Sequence, residues 1–167
     1  DAATRRNLEL THSLSGGRDG SLLHAIDRTV TSGGARLLER RLSSPSRVLD
    51  TIAARHRAVA ALADDSRLSD ALRDDLRKVP DVDRALSRLA LDRAGPRDLA
   101  SIRNALTQAI AVAGKLSGRD LPDLLTGAAV DLVGHDDLLD LLDQALVAEP
   151  PLLVRDGGFI AEGHDPE

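Results

Sequence analysis

The sequence has no cysteine, tryptophan, tyrosine or methionine, and its only aromatic residue is Phe159. Each absence narrows the function. Without cysteine there is no disulfide framework, no thiolate metal site and no thiol nucleophile, which fits a reducing cytosol. The missing rings are those that usually anchor small-molecule pockets, peptide grooves and single-stranded nucleic-acid platforms, so binding is left to backbone and charge. No apolar run approaches the roughly 20 residues that cross a bilayer, and the amino end has no basic-then-apolar signal pattern. No membrane partner is expected. A formal charge of −5 and a pI near 5.5 argue against a domain whose surface as a whole grips phosphates strongly.

What remains is aliphatic. Apolar residues make up 42% of 167 residues, almost all Leu, Ala, Val and Ile. That length suits one domain over 1–167 with one core, burying roughly 70% of the surface its unfolded chain exposes. The first residue is Asp1 rather than Met and the last is Glu167, so the chain is expected to be a segment of a longer one.

The spacing of apolar residues predicts a mainly helical fold. Leu8 and Leu10 alternate with Asn7, Glu9 and Thr11, which predicts a short strand between Thr4 and Leu14, and Ser15–Gly20 follows as a loop. Leu22, Leu23, Ile26 and Val30 open a helical stretch that breaks at Ser32-Gly33-Gly34 and resumes with Ala35, Leu38 and Leu42 up to Pro45. Ile52, His56, Val59 and Ala63 mark the next helix, and Leu68, Leu72, Leu76 and Val79 the one that Pro80 ends. Asp81 is placed to cap a helix with Val82, Ala85, Leu86 and Leu89 on its stripe. Pro96 at a first helical position and Asp98 in the first turn start the longest helix, running to about Leu116 with Leu99, Ile102, Leu106, Ile110 and Ala113 inward. A weaker helix over 121–133 and a firmer one through Leu138, Leu142, Ala145 and Leu146 follow, stopped by Pro150-Pro151. Leu152–Val154 and Phe159–Ala161 around Asp156-Gly157 predict a C-terminal β-hairpin, sharing a small sheet with the amino-terminal strand. No period of 20 to 50 residues repeats, which removes helical solenoids.

Site chemistry is sparse, and no catalytic, cofactor-binding or metal-binding residue is expected. Around Gly114-Lys115 the Walker positions hold Ala109 and Leu116 instead of glycine and a hydroxyl residue, so no nucleotide loop forms there. Gly16-Gly17 and Gly33-Gly34 read as turns or hinges. The five histidines make no paired metal motif. His135 beside Asp136, Asp137 and Asp140 is the nearest thing to an oxygen-rich cluster, and an acidic first turn complementing a helix dipole explains it. His56, on an apolar stripe, is expected to be a hydrogen-bonded core histidine. Most arginines interleave with aspartates as solvated helix faces. Only Arg36, Arg40, Arg41 and Arg47 gather with no acid beyond Glu39, a group suited to weak contact with a DNA backbone or with another domain.

Several phrases, in order, resemble one family. They are Asp1-Ala2-Ala3-Thr4-Arg5-Arg6-Asn7-Leu8-Glu9-Leu10, then Leu22-Leu23-His24-Ala25-Ile26-Asp27-Arg28-Thr29-Val30-Thr31, and Arg36-Leu37-Leu38. Asp81-Val82-Asp83-Arg84, Leu86-Ser87-Arg88-Leu89, Pro96-Arg97-Asp98-Leu99 and Arg155-Asp156-Gly157-Gly158-Phe159-Ile160-Ala161-Glu162-Gly163 continue the series. Together they resemble the core domain of the MutS family of DNA mismatch-repair proteins, bacterial type, in the part before the clamp insertion. The sequence differs at Ser32-Gly33-Gly34, where the family commonly has proline and a bulky residue, and at Arg41, where a tryptophan usually stands.

The resemblance implies a multi-helix core, or lever, domain that couples mismatch-binding and clamp regions to an ATPase domain. It implies that ATP and Mg belong to the full-length protein and not to this chain. The implied partners are the other domains of the same protein, mismatched duplex DNA, a second MutS copy and a MutL-like protein, all in the cytoplasm. Helices returning after the clamp would cover part of this segment's apolar surface. The residues alone also allow two rivals: a free-standing helical module that binds a partner helix, and a metal enzyme built on His135.

Overall fold

A computed structural model of the chain describes residues 2–164. Among these residues the regular structure is helical: α1 (Ala2–Asn7), α2 (Leu22–Ile26), α3 (Ser32–Ser43), α4 (Leu49–Asp64), α5 (Ser66–Leu76), α6 (Val82–Ala90), α7 (Pro96–Leu116), α8 (Asp123–Asp131), α9 (Asp136–Ala145) and a 3-10 turn (Val154–Asp156). The chain forms two compact units, Asp1–His56 and Arg57–Glu167.

In the first unit the expected amino-terminal strand is replaced by α1 and a tight turn. The Leu8 N–H donates to the Thr4 carbonyl and the Leu10 N–H to the Arg5 carbonyl, while Glu9 sits at φ 47°. The carbonyls of Glu9 and Leu10 accept from the N–H groups of Leu22 and Leu23, at 2.9 Å each. Those donors belong to the first turn of α2 and have no intrahelical partner, so they satisfy the carbonyls that a neighbouring strand would otherwise have to meet. Alternation of Leu8 and Leu10 therefore reports a two-residue contact and not a ladder.

The break between α2 and α3 comes earlier than the glycines. Asp27 already has an extended backbone, and Ser32-Gly33-Gly34 forms the first turn of α3. Thr31 caps it, its Oγ1 accepting from the Gly34 N–H at 2.9 Å. A Cβ on residue 34 would stand 2.8 Å from that same Oγ1, so glycine there serves the cap and not a hinge.

On α4 the expected stripe is not the buried face. His56, Val59 and Ala63 are exposed, whereas Ala58 is buried and Arg55, Ala61 and Leu62 are half-buried. His56 is thus a surface histidine. Alanines at 53, 54, 58, 60, 61 and 63 go right round this helix, so period alone does not choose its inner side.

In the second unit α7 is the axis. It runs 21 residues, roughly 31 Å at 1.5 Å per residue, and packs against α5, α6, α8 and α9. Its start follows from local chemistry. Pro96 presets φ and lacks only an N–H that the first turn cannot use, and the Asp98 carboxylate accepts from the Gly95 N–H at 2.8 Å and the Arg88 Nε at 2.9 Å. Gly95 itself is required by crowding, since a Cβ there would lie 2.8 Å from the Leu152 carbonyl.

Buried apolar side chains in this unit gather in two clusters rather than one. Val112 and Leu116 of α7 meet Leu68 and Leu72 of α5 and Ala129 of α8. Ile102 of α7 meets Ala85 of α6 with Leu142 and Leu146 at the end of α9, and Leu99, Leu106 and Phe159 pack around them. Ile110, expected inward, is exposed.

The expected C-terminal hairpin does not form. Leu153, Val154 and Asp156 turn back in the 3-10 element, and Pro150-Pro151 supplies no N–H to a ladder. Instead the segment after Gly158 pairs with the end of α9. The Val147 N–H donates to Phe159 (3.0 Å), the Ala161 N–H donates to Ala145 (2.9 Å), and Leu146 and Ile160 form an isolated antiparallel bridge. Burial of Phe159 and Leu146 in one cluster selects that pairing.

Candidate functional site

The arginine group predicted from the sequence lies in the first unit. Arg40 and Arg41 stand in the last turn of α3, where the unsatisfied carbonyls carry partial negative charge. Pro45 then ends the helix, and Ser44 closes it by donating its N–H to the Arg40 carbonyl at 2.9 Å. In the turn to α4, Ser46 Oγ accepts from the Val48 N–H at 3.2 Å. This chain path surrounds a concavity lined by Leu37, Arg40, Arg41, Ser44, Ser46 and Arg55.

The structure therefore brings Arg40 and Arg41 together and adds Arg55 from α4. Arg36 and Arg47 are exposed and do not line the concavity. Arg55 was not in the predicted group because it follows Arg41 by a helix turn, a loop and the start of another helix. Desolvation, and then the charges of Arg55 and Arg40, push the Arg41 guanidinium below its ordinary value. The acid of α3, Glu39, is engaged by Arg18.

Charge is divided unevenly along the chain. Residues 1–56 carry nine basic and six acidic side chains, a formal +3, while residues 57–167 carry 13 basic and 21 acidic, a formal −8. The overall −5 therefore hides a basic first unit.

The second unit holds two buried charges that spacing did not reveal, Arg103 and Asp75. Arg103, on α7, donates to the carbonyls of Leu146 (3.4 Å), Val147 (3.2 Å) and Ala148 (2.8 Å), and its Nε lies 3.5 Å from Asp143. It ties the chain leaving α9 to the middle of α7, satisfying carbonyls beyond the helix end. A sequence signal existed: Arg103 follows Leu99 by four residues, an inward place on the α7 stripe.

Asp75 is held by Lys115 of α7 and by Lys78 at 2.9 Å. The hydrogen bond from Lys115, then that from Lys78, keeps its carboxyl below the usual carboxylate range, against the burial that raises it. Because the folded value lies below the unfolded one, near 3.9, the pairing stabilises fully above about pH 4 and is lost as pH falls through the lower folded value. Asp75→Asn is expected to flatten the acid fall of the thermal midpoint below about pH 4. An acid limb identical to the parent's would show that the pairing contributes nothing.

Gly114 and Lys115 lie within α7, and Lys115 is committed to Asp75, so this pair has the geometry of a helix and not of a phosphate loop. His135 stands at the N-cap of α9 with Asp136 and Asp137 in its first turn. Among the described residues no three His, Asp or Glu side chains are grouped to hold a metal ion. Nor, among them, is any helix long and apolar enough to cross a membrane.

The family model described as MutS domain III matches residues 3–162. The chain is 68% identical over 165 residues to the DNA mismatch repair protein MutS of Paracoccus denitrificans (strain Pd 1222), covering 99% of this chain and 19% of that protein. Against the protein of the same name from Ruegeria sp. (strain TM1040) it is 66% identical over 167 residues, covering 100% and 19%. Against that of Dinoroseobacter shibae (strain DSM 16493 / NCIMB 14021 / DFL 12) it is 60% identical over 165 residues. The chain spans 19% of the length of these relatives.

Proposed function

Since the chain belongs to the MutS domain III family, we propose that it is the non-catalytic core, or lever, segment of a DNA mismatch-repair protein. In this reading it forms one domain-III segment that couples DNA-holding regions to an ATPase domain elsewhere in the protein. The observation that carries it is α7. One 21-residue helix supplies side chains to both hydrophobic clusters of its unit and is fastened along its length by Lys115–Asp75, Arg103 and Asp98–Arg88. A rod fixed at both ends and in the middle moves as a body, as coupling through discrete rigid-element arrangements requires.

The surface supports a role inside a larger assembly. Leu86, Leu89 and Leu91 at the end of α6, and Val130 and Val133 around the end of α8, are all exposed large apolar side chains. Exposed apolar side chains mark contact sites where they are contiguous. Their occupants in this reading are other parts of the same protein. Mismatched duplex DNA, ATP with Mg, a second copy of the protein and a MutL-like partner are engaged by the full-length protein, in the cytoplasm.

The chain alone is expected to hydrolyse no ATP and to bind matched and mismatched duplexes equally. Fluorescence anisotropy with both duplexes, with and without ATP, checks this. Mismatch-selective binding by the chain alone would place a DNA-reading site within it and overturn the proposal.

A further inference from the structure

We infer that Arg40, Arg41 and Arg55, with the hydroxyls of Ser44 and Ser46, form a phosphate site that takes the sugar–phosphate backbone of a duplex nucleic acid. The inference is independent of the coupling role, since it concerns only what this concavity of the first unit holds.

Three observations point to it. The lining carries three guanidinium groups and two hydroxyls, with Leu37 as the one apolar contributor and no carboxylate. Guanidinium forks match phosphate oxygens two at a time, and hydroxyls complete such contacts. Next, the α3 dipole explains Arg40 and Arg41 but not Arg55, which converges from α4. No ion pair engages Arg40, Arg41 or Arg55 among the described residues, and the like charges of Arg55 and Arg40, which after desolvation lower Arg41, are offset by an anion placed among them. Lastly, the site lies in the unit with a formal +3.

The same lining selects among phosphate ligands. It has no aromatic ring on which an unpaired base stacks, which disfavours single strands. It has no glycine-rich loop to wrap a triphosphate, and Leu37 is the one apolar residue of its lining, where a nucleoside pocket is lined predominantly by apolar and aromatic side chains. A regular duplex backbone, presenting phosphates outward at fixed spacing, needs neither. The expected grip is sequence-independent, weak and strongly salt-sensitive.

The test titrates a labelled, fully matched DNA duplex with the chain at a series of low salt concentrations. The variant Arg40→Gln/Arg41→Gln/Arg55→Gln is compared with Arg47→Gln/Arg57→Gln/Arg67→Gln, which changes net charge equally at exposed arginines outside the concavity. Neutralising the lining is expected to weaken low-salt binding about ten-fold and to flatten the dependence of log K on log salt by about one to two. The control is expected to do less than half of this. Equal losses in both variants, or no duplex binding by the parent chain, would overturn the inference.

Should the first variant lose its helical circular dichroism, the parent chain answers by itself. Dicarbonyl modification read by mass spectrometry is expected to slow at Arg40, Arg41 and Arg55, and not at Arg47, when duplex is present. Unchanged modification would overturn the inference. So would equal protection by poly-glutamate at matched charge concentration, which would assign the patch to an acidic protein surface.

Discussion

Leu72→Ala is expected to destabilise the second unit by about 2–5 kcal/mol, the range for removing a fully buried leucine from a core that cannot collapse around the gap. Leu72 is 6% exposed and lies in the cluster made by Leu68, Val112, Leu116 and Ala129. The lost transfer free energy accounts for part of the effect, and the cavity for the rest. The cavity is hard to fill because aliphatic neighbours on three helices hold their positions through their own helices' hydrogen bonds, and the unit has no methionine to flow into the space. Against a total stability of order 5–15 kcal/mol the loss is large. Urea denaturation followed by circular dichroism is expected to show a lower midpoint at unchanged slope. Val130→Ala serves as the comparison: Val130 is 70% exposed, and its truncation is expected to stay within about 0.5 kcal/mol. Equal effects at the two positions would mean that this cluster is not a packed core.

What the sequence made legible was local. Pro96, Asp98 and Leu116 bound α7, and Asp81 caps α6 by accepting from the Arg84 N–H, because such signals act within one helical turn. What it obscured depends on partners far along the chain. The acceptors of Arg103 are carbonyls 43 to 45 residues away, and the amides that satisfy Glu9 and Leu10 are 13 residues ahead. No window of apolar spacing contains both sides of those pairs. The two β predictions failed for the same reason, since a strand exists only where another backbone completes it. In the arginine group, Arg40 and Arg41 were legible as a run without nearby acids. Arg55 was not, because its membership depends on how the Ser44–Val48 turn brings α4 back towards α3.

The coupling role makes its own demand on α7. Asn104 and Thr107 are exposed mid-helix positions, away from both clusters. Changing both to glycine removes no buried apolar side chain, but it takes away the Asn104 Oδ1 that accepts from the Arg103 Nε at 3.4 Å and the Thr107 hydroxyl that donates to the Arg103 carbonyl at 3.2 Å. It costs roughly 1 kcal/mol of helix stability, so the unit stays folded while the rod softens. Stiffness between the two ends is what the lever reading uses. A change that loosens the rod and touches no ligand-binding group should therefore reduce communication and not the activities it connects.

The most direct measurement is ATP hydrolysis by a full-length protein carrying this segment, parent against Asn104→Gly/Thr107→Gly, without DNA, with matched duplex and with mismatched duplex. The account predicts an unchanged rate without DNA and a response to mismatched DNA reduced by about 0.5–2 kcal/mol, two- to thirty-fold in the ratio. A folded variant that responds to mismatched DNA like the parent would contradict the lever role. Loss of hydrolysis already without DNA would contradict it equally, by showing that the segment belongs to the catalytic machinery and not to the connection between sites.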